Sequence, residues 1–164
     1  MIESSVHGEI ASADGEVVLR LTLEPKSHDE APRTYAVSVT SATCAAATRV
    51  HLASDDLVGY FDNLAEHWRG WDGPRVFTAR PAGSTYSPPA LQLTATFETG
   101  GHILIRIELG STWIPTRGAT DLGDWELRSP GSWAMEVMLE LEAGQLDHVA
   151  AALRSLPPDS VGFW

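Results

Sequence analysis

The sequence predicts an α+β domain, a largely antiparallel β-sheet with two amphipathic helices packed on one of its faces. Three observations lead there. Most of the chain alternates apolar and polar residues with period two. Two segments repeat instead at helical spacing, and each carries a single apolar stripe, enough to cover one sheet face. The order runs strands, helix, strands, helix, with tight turns that favour antiparallel pairing over parallel crossovers.

Glu16–Glu24 (EVVLRLTLE) is the first alternating run, with Val17, Leu19, Leu21 and Leu23 on one face. A polar loop, Pro25–Arg33, leads to a second strand over Thr34–Thr40, with Tyr35, Val37 and Val39 inward. Ala45–Leu52 is a weaker strand that feeds a helix. Ser54 or Asp55 can cap that helix, and Asp55 and Asp56 place negative charge at the positive end of its dipole. Leu57, Phe61, Leu64, Ala65 and Trp68 make one apolar stripe, which places Trp68 in the core. Gly70 suits a left-handed C-terminal residue, and Trp71-Asp72-Gly73-Pro74 turns the chain away.

Arg75–Arg80 and a Pro/Gly/Ser loop come next. Two clear strands follow, Ala90–Glu98 and His102–Leu109, joined by a Thr99-Gly100-Gly101 hairpin in which glycine supplies positive φ. Gly110–Ser132 is long for a loop in a compact domain; it is functional or hides a short strand, for which Asp124–Arg128 is the candidate. Trp133–Leu141 alternates again, with Met135, Val137, Leu139 and Leu141 inward. Leu146, Val149, Ala150, Leu153 and Leu156 mark the second helix, stopped by Pro157-Pro158.

With 164 residues the chain suits one domain, residues 1–164, built on one core. No apolar run approaches the roughly 20 residues that span a bilayer, and MIESSVHGEI lacks the features of a secretory signal. The single cysteine, Cys44, excludes an intramolecular disulfide and reads as a buried, inert thiol. A reducing cytoplasm is the expected compartment. Ten of eleven basic residues are arginine, a bias of high-GC coding such as an actinobacterium's. The net charge of −11 is spread over both halves of the chain. Such a field repels nucleic acid and anionic membrane and favours basic partners, although many soluble bacterial proteins are simply acidic.

Signatures of chemistry are missing. The sequence contains no nucleophile elbow, no phosphate-binding loop and no deaminase signature. Its six histidines, 7, 28, 51, 67, 102 and 148, show no metal-ligand spacing, and one cysteine rules out the common structural zinc sites. The expectation is therefore no catalytic residues, no metal and no cofactor. His67 and His102 are isolated, with surface or packing roles favoured, and Asp121 and Asp124 lack the further ligands of a calcium loop.

A binding surface is easier to nominate. Glu136, Glu140 and Glu142 fall opposite the apolar face of the last strand with Met138 among them, a carboxylate ridge or an ordinary solvated face. Trp113 and Trp125 on the long loop suit interface anchors or a lid over the core. The candidate partner-binding residues are thus Glu136, Glu140, Glu142, Arg106, Trp113, Asp121, Asp124 and Trp125.

The succession HLASDDLVGYFDNLAEHWRGWDG, then ETGGHILIRIEL, then a strand with alternating Glu and LDHVAAALRSL resembles a family of small actinobacterial proteins known only as a domain of unknown function. More distantly it is similar to WapI-type immunity proteins of polymorphic toxin systems. The likeness covers about Val50 to Leu156, and its motifs are structural. It implies a cytosolic protein-binding domain, an antitoxin that plugs a basic toxin domain or binds another protein, acting as a monomer or homodimer. The alternative is a small-ligand-binding module or enzyme with a pocket at the Gly110–Ser132 loop, where His102, Asp121 and Arg106 would converge.

Overall fold

A computed structural model describes residues 6–24, 33–82, 89–110 and 133–158. Eight strands form one antiparallel sheet in sequence order: β1 (His7–Ala11), β2 (Val18–Leu23), β3 (Arg33–Thr40), β4 (Ala45–Leu52), β5 (Arg75–Pro81), β6 (Leu91–Glu98), β7 (His102–Gly110) and β8 (Ala134–Glu142). Helix α1 (Ser54–Glu66) links β4 to β5, and α2 (Leu146–Leu153) follows β8 through a single 3₁₀ turn. The α+β class predicted from alternation is the one observed.

Alternation sets which face is buried. Leu19, Leu21 and Leu23 of β2, Tyr35, Val37 and Val39 of β3, Leu91, Leu93 and Ala95 of β6, and Ile103, Ile105, Ile107 and Leu109 of β7 share one buried cluster with Leu57, Phe61 and Leu64 of α1 and Leu146, Val149, Ala150 and Leu153 of α2. Both helices therefore cover the same face. Tyr60 fastens α1 to the sheet: its ring packs near Phe61 and Phe77, and its hydroxyl donates to the Arg75 carbonyl at 3.1 Å. Burial raises the phenol's pKa well above its ordinary value. Gly8, on the inner face of β1, leaves room for the end of α2 and the turn after it, where methyls of Leu153 and Leu156 come within 3.2–3.4 Å of where a Cβ would stand.

Two features shape the sheet. β4 and β5 pair only through Val50–Pro81 and His51–Arg80, because the chain leaves the sheet for α1 between them. The sheet is thus two four-stranded halves joined at a narrow seam. It also curls: the N–H of Ala13, in the β1–β2 turn, donates to the carbonyl of Glu140 on β8 at 2.9 Å. In the β6–β7 hairpin Gly100 and Gly101 both adopt positive φ, as the turn demands.

Several details depart from the sequence reading. Ser54 is the first helical residue and Ala53 the N-cap; the Ser54 hydroxyl donates instead to the Pro157 carbonyl, a tertiary bond that outcompetes local capping. Trp68 is 54% exposed, because α1 ends at Glu66 and the residues beyond no longer keep its period. Cys44 is exposed, since it closes the β3–β4 turn, where its N–H donates to Ser41 Oγ at 3.2 Å. Strand β1 has no counterpart among the elements predicted from alternation.

Candidate functional site

The outer faces of the two halves differ in charge balance. On the first half, carboxylates meet cations: Arg20 Nη2 lies 2.7 Å from Glu9, and Arg49 donates Nη2–H to Glu24 at 2.6 Å. The Arg49 guanidinium, first through that hydrogen bond, holds the Glu24 carboxyl below its usual range.

The second half is unbalanced. The register places Glu98 of β6, Glu108 of β7 and Glu136, Glu140 and Glu142 of β8 on one outer face, where Arg106 is the arginine of these three strands. Glu108 and Glu136 stand directly opposite each other on neighbouring strands. Like charges so placed repel, and a fold has no structural need of the arrangement. Glu108 accepts a hydrogen bond from Gln92 Nε2 at 2.9 Å and lies 3.5 Å from Arg106 Nε. Among the described residues no cation pairs with Glu136.

Next to this pair runs one cross-strand row, Val76, Thr94, Arg106 and Met138. Val76 is 53% and Met138 47% exposed, high for large apolar side chains. With Pro74, Gln92, Thr96 and Glu136 this row lines an open groove of about 540 Å³. Neither described helix lies over it, because both occupy the opposite face. Apolar flanks around a polar floor, with Glu136 in the lining and Glu108 across from it, are the chemistry of a contact surface for a basic group with an apolar stem.

Four of the predicted site residues, Glu136, Glu140, Glu142 and Arg106, meet on this face. Trp113, Asp121, Asp124 and Trp125, and the candidate strand over 124–128, lie outside the described residues. His102 is held by Glu140, with Nδ1 2.7 Å from Oε1, and is four residues along β7 from Arg106. Side chains so spaced are roughly 13 Å apart, so these two do not converge on one small ligand. His67 sits beyond α1, its Nδ1 2.8 Å from the Asn63 carbonyl and 3.3 Å from Arg75 Nη1. Among the described residues no three metal-ligating side chains come together. Glu108, Gln92, Val76 and Thr94 join this face beyond the residues predicted from the sequence. Alternation along ILIRIEL carries the signal for Glu108, because it places Glu108 on the Arg106 face.

A two-layer α+β domain with an acidic half-sheet that neither described helix covers is what fold and site together define. The chain belongs to the family of unknown function DUF6228, whose family model matches residues 10–159. No curated protein and no solved structure matches it. Among the described residues no helix is long and apolar enough to cross a membrane.

Proposed function

We propose that this chain is a non-enzymatic protein-binding domain that takes a basic partner on the outer face of β5–β8. One observation carries the reading: the opposed Glu108–Glu136 pair, beside two exposed apolar side chains, in a half-sheet whose carboxylates outnumber its cations. A complementary cation relieves that repulsion and buries Val76 and Met138 in the same step. The net charge of −11 steers basic partners toward it and turns nucleic acid and anionic membranes away.

The layout's resemblance to immunity proteins gives the proposal its specific form, a cytoplasmic antitoxin that occludes a basic toxin domain. The test is to purify the variable C-terminal domain of an effector encoded beside this gene and measure association by stopped flow. A complex is expected, with association slowed at least tenfold by high salt and by combining Glu108→Gln, Glu136→Gln and Glu140→Gln. The absence of such an effector, or of a complex with it, removes the antitoxin form. A partner whose footprint falls on the outer face of β1–β4 overturns the whole proposal.

A further inference from the structure

The partner's secondary structure can be read from the hydrogen-bonding parity of β8. The Glu140 carbonyl accepts from Ala13, away from β7, whereas the Ala143 N–H donates back to Gly101 on the β7 side. Antiparallel strands alternate in this respect. Ala134, Glu136 and Met138 therefore aim their N–H and C=O groups at the outer edge, and their side chains lie on the acidic face. β8 ends the sheet, and no described residue hydrogen-bonds to those three along that edge. Glu140 is already engaged by Ala13, so among the described residues the edge left unpaired is Ala134–Leu139.

The side chains along this edge specify what can pair with it. On the outer face it offers Glu136, with Glu140 next along the strand, around Met138. On the inner face Leu139 and Leu141 are fully buried, whereas Met135 and Val137 are only half-buried against the core. An incoming strand that alternates basic and apolar residues fits both faces: its cations stand opposite the carboxylates, and its apolar residues cover Met135 and Val137. A second copy of this chain fits poorly, because its own β8 would bring another row of glutamates to the same face.

We propose that β8 is a strand-addition site that captures an extended segment of alternating basic and apolar residues from the partner. The proposal rests on the reading of the acidic face as the binding surface and adds the mode of capture. Main-chain hydrogen bonds from Ala134, Glu136 and Met138 supply the docking, and the glutamates select the charge.

The probe is a fluorescein-labelled decapeptide of alternating lysine and valine, titrated into the full chain by anisotropy. Saturable binding is expected, and a glutamate-for-lysine decapeptide should not bind. In an antiparallel register, which sets lysines directly opposite Glu136 and Glu140, the lysine amides face β8 and the valine amides face away. N-methylation of the lysine amides should weaken binding at least tenfold, whereas N-methylation of the valine amides should leave it within about twofold. Met138→Pro, which removes an edge-facing N–H and none of the β7 ladder, should act like lysine methylation. If that variant misfolds, the methylated peptides decide the matter on the unaltered protein.

No binding, or equal binding of both methylated peptides, overturns strand addition. If the two methylated peptides bind equally yet Glu108→Gln and Glu136→Gln still weaken both, the acidic-face reading survives without the edge. If none of these changes matters, both readings fall. A concentration-dependent dimer abolished by Met138→Pro makes the occupant a second copy and also overturns the proposal.

Discussion

Reversing the charge at Glu136 sets the stability of the free domain against its proposed binding. Glu136 stands directly across from Glu108, while Arg106 lies on the diagonal and is already 3.5 Å from Glu108. Directly opposed side chains are roughly 5 Å apart and diagonal ones roughly 7–8 Å. In water, unit charges repel by about 0.8 kcal/mol at about 5 Å, and opposite charges attract by about 0.55 kcal/mol at about 7.5 Å. A Debye length of about 8 Å reduces these to roughly 0.45 and 0.2 kcal/mol. Repulsion wins by about 0.25 kcal/mol, and Glu136→Lys turns that into an attraction of similar size, a gain of about 0.5 kcal/mol.

For a chain of this length each kcal/mol moves Tm by about 2–4 °C, so Glu136→Lys should melt about 1–2 °C higher, with Glu136→Gln midway. The gain should vanish near 1 M salt, where the Debye length falls to about 3 Å. Association with a basic partner should move the other way and slow at least tenfold. Differential scanning calorimetry at low and high salt, with stopped-flow association, measures both. A lower Tm for Glu136→Lys, or a gain that persists in high salt, refutes the like-charge argument. A gain in Tm with unchanged association refutes the link to binding.

Gly8 and Gly59 form an opposed pair. Gly8→Val meets the methyls of Leu153 and Leu156 at 3.2–3.4 Å from its first added carbon and should cost about 1–3 kcal/mol, whereas Gly59, exposed in α1 with nothing within 4 Å, should gain about 0.5–1 kcal/mol as alanine. Thermal melts check both, and a neutral Gly8→Val would show that α2 does not pack against β1. Arg33 is 6% exposed and, among the described residues, its Nη1 has no hydrogen-bond partner, so Arg33→Met should be neutral or stabilising; a clear drop in Tm would mean that the guanidinium has a structural partner. The depressed Glu24 carboxyl stabilises the fold above its unfolded pKa of about 4.3, and this contribution disappears as pH falls through the lower folded value. Arg49→Gln should therefore lower Tm at pH 7, and the gap should narrow as pH falls below about 4.3; a gap that stays constant through that fall would rule the ion pair out as its cause.

The fold was legible where period two or period 3.6 ran long enough to identify a face. The runs in β2, β3, β6, β7 and β8 and the stripe Leu57–Phe61–Leu64 are such cases, and all contribute side chains to one buried cluster. β1 was not legible, because HGEIA has one large inward side chain, and the glycine beside it matters only once α2 lies against it. The Ser54 cap and the core position of Trp68 failed for tertiary reasons: a bond to Pro157 and a helix that stops at Glu66. Half of the site could be seen as Glu136, Glu140 and Glu142 on one strand face. Its defining contact could not, because β7 and β8 are joined by a long connection, and local patterns do not set the register that brings Glu108 to Glu136. Strand parity along the β8 edge needs the Ala13 and Ala143 hydrogen bonds, which no sequence pattern records.

Site-specific photocrosslinking in the source cells tests the central claim most directly. A crosslinking residue at Met138, in the groove, should capture one protein through a basic segment of its surface, and one at Thr94 should capture the same protein. The same residue at Ser38, on the outer face of β3, should capture none of it. Capture from Ser38 alone, or of an acidic segment at Met138, would contradict the account.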